Sequence, residues 1–369
     1  MARGEVIAVN EHAYFAPSSM YLTVACPGWL RTLEQSGLPS EPETEATREG
    51  ELAHYVAARA AAGQTFSAGS DGVTEEMLDG AATWVSALEG YSARIETPVQ
   101  ITRVHPTKCW GTPDARQHNA ERKIVRLADY KFGHEYVDEF ENWQMLAYSV
   151  GVADELGVFD DMSYSYEMTV VQPRYYGAEP VRTWTIQGAG LKHYAERMKE
   201  AVRLAESAEP PVRSGTHCTH CPARTACATF RKTVGHAIDY AGRPEVMLST
   251  PEQIGAELVL VQEFIKRLEA RETGLSAVAE ALIRGGARVP NYSLEQSVGR
   301  LAWTVPLEVV ELSAKMVGKS ALQPPKLVTP TQAKDRKLLD SRIIAAYSDR
   351  PTGAMRLTRN TKAERKFKT

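Results

Sequence analysis

Ile124-Val125-Arg126-Leu127-Ala128-Asp129-Tyr130-Lys131 is the stretch on which the reading of this chain turns. Its apolar run predicts a strand, and alternating side chains put Val125, Leu127, Asp129 and Lys131 on one face. Asp129 and Lys131 then stand about 6.6 Å apart along the strand. Fifteen residues before Asp129, Gly111-Thr112-Pro113-Asp114 ends on a second carboxylate. If Asp114 comes from a neighbouring antiparallel strand, the two carboxylates converge and can hold a hard divalent cation through oxygen. The Lys131 ammonium is then left to orient a water or to offset charge on a phosphate. The chemistry that needs this set is metal-dependent phosphodiester cleavage. Read alone, the same residues also describe a surface hairpin whose Lys131 and Asp129 pair contributes little.

The sequence on either side narrows the choice. Upstream, Arg48-Glu49-Gly50-Glu51-Leu52-Ala53-His54 sets a histidine four residues after a glycine in a helical stretch. Downstream, a helix expected over residues 138–156 carries Gln144 and Tyr148 at i, i+4 on one face, while Phe140, Trp143, Ala147 and Val150 would pack on the sheet. Taken singly, His54 reads as a polar helix residue and Gln144 and Tyr148 as surface and core. In this order, a G-x-x-x-H helix, a PD strand, a D-x-K strand and a Q-x-x-x-Y helix, the chain resembles the RecB-type branch of the PD-(D/E)XK nucleases. The resemblance implies Asp114, Asp129 and His54 as ligands of Mg2+ or Mn2+, with the Tyr130 backbone carbonyl as a further oxygen. It implies Lys131 as the catalytic lysine and Gln144 and Tyr148 along the DNA path. Asp129 stands where the commoner motif has glutamate, one methylene longer.

Five cysteines are present. Cys218, Cys221 and Cys227 form C-x2-C-x5-C, an odd trio that disulfides would leave incomplete, so metal ligation fits better. Cys26, far upstream in Ala25-Cys26-Pro27, is the natural fourth ligand. Four thiolates suit a zinc ion or an iron-sulfur cluster, although structural zinc usually draws on two close pairs. His217 and His220 keep zinc open, since either could replace Cys26. The one-plus-three layout resembles the 4Fe-4S subgroup of RecB-type nucleases, including the CRISPR adaptation exonucleases and AddB. That resemblance implies a 4Fe-4S cluster held by Cys26, Cys218, Cys221 and Cys227. Such a group would be structural, closing a loop of nearly two hundred residues whose closure entropy otherwise opposes folding. Cys109 reads as a small buried hydrophobe.

At 369 residues and 43% hydrophobic content the chain has material for a proper core. A formal charge of −3 excludes indiscriminate binding of nucleic acid over the whole surface, so DNA contact has to be local. The basic C-terminal stretch, Arg356, Arg359, Lys362, Arg365, Lys366 and Lys368 against Glu364, reads either as a phosphate grip or as a solvated tail. No apolar signal or membrane-length run occurs, and reduced metal-binding thiols suit the cytoplasm, that of the host if a phage encodes the chain.

The expected fold is α/β, a restriction-endonuclease-like small mixed sheet flanked by helices with a mostly helical C-terminal extension. Residues 1–232 form the nuclease domain closed by the cysteines, and 233–369 the extension. Pro17-Ser18-Ser19 opens a short helix with a serine cap. A helix is expected over 75–88, and strands cluster between Arg94 and Lys131. Tyr164, Tyr166, Met168 and Val170 alternate as a further strand. A helix bearing Leu191, Tyr194, Met198 and Val202 then runs to Pro210-Pro211. Between 251 and 283, Ile254, Leu258, Val261, Ile265, Leu268, Leu275, Ala279 and Leu282 form a stripe broken at Glu272. It would pack on the nuclease core, with self-association through 251–283 as the alternative. A hairpin near 291–303 and the linker Gln323-Pro324-Pro325 follow. The order of these pieces resembles the C-terminal part of a phage-encoded RecB-like family.

Other templates fail. Val317-Gly318-Lys319-Ser320 lacks the first glycine of a phosphate-binding loop, Ser313 standing there, and no nucleophile elbow or H-E-x-x-H helix occurs. The expected activity is therefore a Mg2+- or Mn2+-dependent deoxyribonuclease, an exonuclease of phage or mobile-element recombination or replication. DNA is the expected partner, with a phage recombinase or single-strand-binding protein beside it. A catalytically weak DNA-binding or assembly protein on the same fold is the alternative.

Overall fold

The computed structural model describes residues 13–37, 45–69, 71–89, 93–241, 250–294 and 341–348, with a few isolated positions between 309 and 316. Residues 1–300 form one compact unit and 301–369 a second. Of the second, the short helix Ser341–Tyr347 is described. The hairpin expected near 291–303, the proline linker and the basic stretch from Arg356 onward lie wholly or mostly outside the described residues.

The first unit is an α/β fold with a small mixed sheet flanked by helices. Helices α1 (Met20–Ala25), α2 (Trp29–Ser36), α3 (Glu45–Ala61) and α4 (Glu75–Ala87) precede strands β1 (Arg94–Ile95), β2 (Val99–Gln100), β3 (Trp110–Gly111), β4 (Ala115–Asn119) and β5 (Ile124–Tyr130). Then come α5 (Trp143–Glu155), β6 (Ser165–Val171), β7 (Val181–Gln187), α6 (Gly188–Ala205), α7 (Ala228–Ala241) and α8 (Pro251–Arg284). The main sheet has the order β1-β4-β5-β6-β7, and β2 pairs with β3 apart from it. β5 and β6 run parallel, with Ile124 beside Ser165 and Tyr130 beside Val171, and the other pairs are antiparallel. A parallel pair needs a long crossover, which α5 provides.

The alternation of β5 divides the core in two. Val125 and Leu127 join Met145, Leu146, Val150, Tyr166, Met168, Leu191 and Met198 beneath α5 and α6. Ala128 and Tyr130 face the other way, into Ala53, Val56, Met77, Ala81 and Trp84 of α3 and α4. Every residue from Met145 to Ala153 is buried, so this part of α5 is enclosed all round rather than amphipathic. Gly151 permits that enclosure: a Cβ there would lie 2.8 Å from the Gln100 carbonyl oxygen. The polypeptide backbone of β2 therefore crosses directly over the helix.

Several boundaries differ from the sequence reading for local reasons. α5 begins at Trp143, not near 138, because the Asn142 side chain caps it by accepting from the Met145 amide, and Glu141 just before has φ 49°. Phe140 lies ahead of the helix and packs edge-on against Trp184. Ser19 precedes α1 without capping it, because its hydroxyl donates to the Ala16 carbonyl oxygen. The β7 strand, absent from the sequence reading, lies at the edge of the sheet.

The largest correction concerns α8. Its buried residues are Ala270 and Gly274, whereas Ile254, Leu258, Val261, Ile265, Leu268, Leu275 and Leu282 are exposed. Arg224 donates from Nε to the Ala270 carbonyl oxygen at 3.1 Å, and Arg271 reaches back to the carbonyl oxygens of Arg224 and Thr225. Small residues win here because the Arg224 and Thr225 side chains lie against the helix, at 2.8–3.3 Å from where a Gly274 Cβ would stand, and leave no room for leucine. Residue 232 lies within α7, and α8 lies in the first compact unit.

Candidate active site

The site lies where β5 ends and the two helical layers meet the sheet. Asp114 directly precedes β4, whose register sets Ala115 beside Ala128, so Asp114 stands opposite Asp129 on the antiparallel neighbour. Asp114 Oδ2 accepts the Tyr130 backbone amide at 2.7 Å. His54, on α3, brings Nδ1 to 3.6 Å from the same oxygen and packs edge-on against the Tyr130 ring. Tyr130 thus carries the β5 backbone to Asp114 and fixes the imidazole from the side.

Asp129 is 3% exposed and points toward α5. Its Oδ1 accepts from Gln144 Nε2 at 3.1 Å and from Lys131 Nζ at 3.1 Å. Its Oδ2 is 2.9 Å from the same ammonium but takes no hydrogen bond in aligned geometry. An anionic oxygen so buried and so thinly solvated is expensive to keep unless a cation is nearby. Gln144 also places Oε1 3.4 Å from Lys131 Nζ, so one amide holds both the acid and the base. Tyr148, one turn along α5, is buried and forms hydrogen bonds with Gln144 and the Thr112 backbone. The structure therefore brings His54, Asp114, Asp129, Lys131, Gln144 and Tyr148 into one cluster, with Gln144 and Tyr148 facing the carboxylates.

The electrostatics follow from burial beside like and unlike charges. Burial, then the charge of Asp129, holds the Asp114 carboxyl far above the usual range, at about 7. Burial and the charge of Lys131 push His54 below its ordinary value, leaving a neutral imidazole with a lone pair to donate. Burial alone would lower Lys131, but Asp129 and Asp114 outweigh it and keep the ammonium charged. Burial, helped by Asp129 and Asp114, raises Tyr148, which stays a neutral phenol. Among the described residues no three His, Cys, Asp or Glu side chains already enclose one point as a metal ion would require. The donor set nevertheless suits a hard cation: two carboxylates and a neutral imidazole.

Neighbouring residues that the sequence reading missed complete the site. Glu96 sits at φ 42°, donates its amide to the Asp114 carbonyl oxygen at 3.1 Å and adds to the negative charge that Asp114 feels. Arg174, in the turn after β6, stacks on Phe132 and bonds Glu49 of α3 at 2.9 Å. Neither carried a sequence signal, since each is distant in the chain from the motif it supports.

A second cluster lies around the cysteine loop. Cys26, Cys218, Cys221 and Cys227 line one small cavity with Trp29, Arg213 and Phe230. Three of the sulfurs accept backbone amides: Cys26 from Arg213 at 3.3 Å, Cys218 from Gly215 at 3.4 Å and Cys227 from Phe230 at 3.4 Å. The fourth, Cys221, takes the Ala223 amide. Burial and the other three sulfurs push the Cys221 thiol up to about 12, against a smaller opposing effect of the Ala223 amide. His217 stands beside Cys218 at 3.7 Å, whereas His220 pairs with Glu135 at 3.4 Å. Cys109 is buried alone among hydrophobic residues.

Fold and site together define an α/β protein with a carboxylate, lysine and histidine cluster at the end of a central strand and a four-thiol loop beside it. The chain belongs to the family described as "Protein of unknown function (DUF2800)", whose match covers residues 12–361. No helix among the described residues is long and apolar enough to cross a membrane.

Proposed function

We propose that this protein is a metal-dependent deoxyribonuclease of the RecB-like PD-(D/E)XK type, acting on DNA ends in phage or mobile-element recombination or replication. One observation carries the reading: Asp114, just before β4, stands opposite Asp129 of β5, with Lys131 on Asp129 and His54 on Asp114. Asp114, Asp129 and the neutral His54 would hold Mg2+ or Mn2+, with the Tyr130 carbonyl as a further oxygen. A bound divalent cation supplies Lewis acidity toward phosphate and lowers the pKa of water. Lys131 keeps its positive charge beside the two acids, where it can hold a water or a phosphate oxygen by charge-assisted hydrogen bonding. Gln144 fixes Asp129 and Lys131 relative to each other.

The four thiols fit a structural metal group, a 4Fe-4S cluster or a zinc ion, that ties α1 and α2 to the loop before α7. Its role is to hold the fold, and no chemical step passes through it.

The test is digestion of end-labelled linear and closed circular DNA with Mn2+. Asp114→Ala, Asp129→Ala and Lys131→Ala should each lower cleavage at least about a hundredfold, the usual scale for removing one electrostatic or acid-base group. Retained cleavage in all three purified variants removes this site. The closed Lys131 and Asp129 pair also supports a second reading, a DNA-binding or assembly protein with weak catalysis. Such a protein shifts the labelled DNA on a gel without shortening it.

A further inference from the structure

α8 turns its apolar stripe away from the contact that holds it. The residues it buries are Ala270 and Gly274, whereas the large apolar side chains of the stripe, from Ile254 to Leu282, are between 37% and 52% exposed. At 3.6 residues per turn, Ala270 and Gly274 lie about 160° round the helix from the midline of that stripe. The small residues seat α8 against the cysteine loop, and the large apolar ones are left facing outward.

The shape of the stripe says what kind of surface it is. It runs roughly 42 Å, at 1.5 Å per residue, and takes two residues in every seven. A helix face that packs on a globular core is broader, while two in seven is the seam of a coiled coil. The start of the helix is fixed, because Thr250 and Gln253 cap each other and Pro251 opens the first turn. Near its end Val289, Tyr292 and Leu294 line one groove with Leu275 and Leu282, which widens the apolar surface there.

Length, area and charge argue about what covers it. A seam this long is filled throughout only by a helix of similar length. Among the described helices α8 has 34 residues and the next longest, α6, has 18, so the match is α8 of another chain. Each half-exposed leucine, isoleucine or valine has on the order of 80 Å² left to bury, the area that underlies its transfer energy. Summed along the stripe and its groove, this approaches the roughly 800 Å² that each partner gives to a specific interface. Acidic residues outnumber basic ones along α8, which disfavours an anionic membrane or a nucleic acid as the cover. Glu272 stands inside the seam, accepting from Ser276 at 3.0 Å, and a single polar residue there sets register while weakening the pair.

We propose that α8 is a self-association element that pairs along residues 254–282 with α8 of a second copy of this chain. Ala270 and Gly274 stay on the cysteine loop in the pair, so the two contacts do not compete.

The test is analytical ultracentrifugation of the full chain over a dilution series. Wild type should sediment as two chains, with a dissociation constant in the micromolar range or below, the scale of an interface of this size. Leu258→Glu combined with Ile265→Glu should raise that constant about a hundredfold or more, because like charges then meet across the seam. Both positions are exposed within one chain, so the fold should hold, and hydrogen exchange of β5 and α5 checks that it does. Should the double variant unfold, Ile254→Glu at the end of the stripe carries the same expectation at about tenfold. Glu272→Leu should tighten the pair about tenfold, since it takes the charge out of the seam. A single-chain mass for the wild type at every concentration would overturn the proposal, and so would a pair that the glutamates leave intact or that Glu272→Leu does not strengthen. Single-chain wild type whose glutamate variants melt lower would put residues of the same chain on the stripe instead.

Discussion

Gln144 donates its side-chain amide to Asp129 Oδ1 at 3.1 Å, across the gap between α5 and the end of β5. Its carbonyl oxygen lies 3.4 Å from Lys131 Nζ, so the same side chain fixes an acceptor and a donor with opposite ends of one amide. Gln144→Ala should therefore lower Mn2+ affinity about tenfold to a hundredfold, as loss of an outer partner of a metal ligand does. Gln144→Glu should do worse, because it replaces the donor to Asp129 with a second negative charge. Calorimetric titration with Mn2+ measures both, and unchanged affinity in both would show that Gln144 is not a positioning residue.

The carboxyl of Asp114 sets a pH dependence of stability with a definite sign. Its folded value of about 7 lies above the ordinary 3.8, so the folded state binds the proton more tightly than the unfolded chain does. The stability this group contributes is complete below pH 3.8 and is lost as the pH climbs to about 7. Thermal melting of metal-free protein should show that loss, and Asp114→Asn should flatten it. Added Mg2+ should restore stability on the alkaline side, because a cation favours the two charged carboxylates. A melting profile identical in wild type and Asp114→Asn from pH 4 to 8 would contradict the burial of Asp114.

Much of this arrangement was legible in the chain, and the parts that were not share a cause. The alternation of Val125, Leu127 and Asp129 placed the acid on one face of β5, and the two-residue spacing brought Lys131 next to it. His54 and Gln144 fell on helices, as their local periodicity required. By contrast, Glu96, Gln172 and Arg174 act through tertiary contacts with partners far along the sequence, and no local pattern marks them. The α8 stripe misled for a related reason. Periodicity reports which face is apolar, while the contact with the cysteine loop was decided by the approach of the Arg224 and Thr225 side chains to Ala270 and Gly274.

Four sulfurs around one cavity predict a shared response to cysteine replacement. Cys26→Ser, Cys218→Ser, Cys221→Ser and Cys227→Ser should each reduce bound metal to background and lower the melting temperature, whereas Cys109→Ser should leave the metal in place. Anaerobic purification with metal analysis and a visible spectrum checks this. A broad band near about 400 nm with iron and sulfide identifies the cluster, and a colourless protein with stoichiometric zinc identifies the ion. Wild type free of both would leave the cavity as packed thiols.

Two glycines of α8 give opposite expectations for the same substitution. Gly255 has nothing within 4 Å of an added Cβ, so Gly255→Ala should stabilise the helix by about 0.5–1 kcal/mol through propensity alone. At Gly274 the same methyl would stand 2.8 Å from Thr225 Oγ1 and 3.0 Å from Arg224 Nε, which is already committed to the Ala270 carbonyl oxygen. Gly274→Ala should therefore destabilise, and Gly274→Val should cost about 1–3 kcal/mol as overpacking does. Hydrogen exchange should localise that loss to α8 and the loop from Thr216 to Cys227, since Arg224 and Arg271 join the two. Equal stabilisation by alanine at both positions would mean that α8 does not dock on the cysteine loop through Gly274.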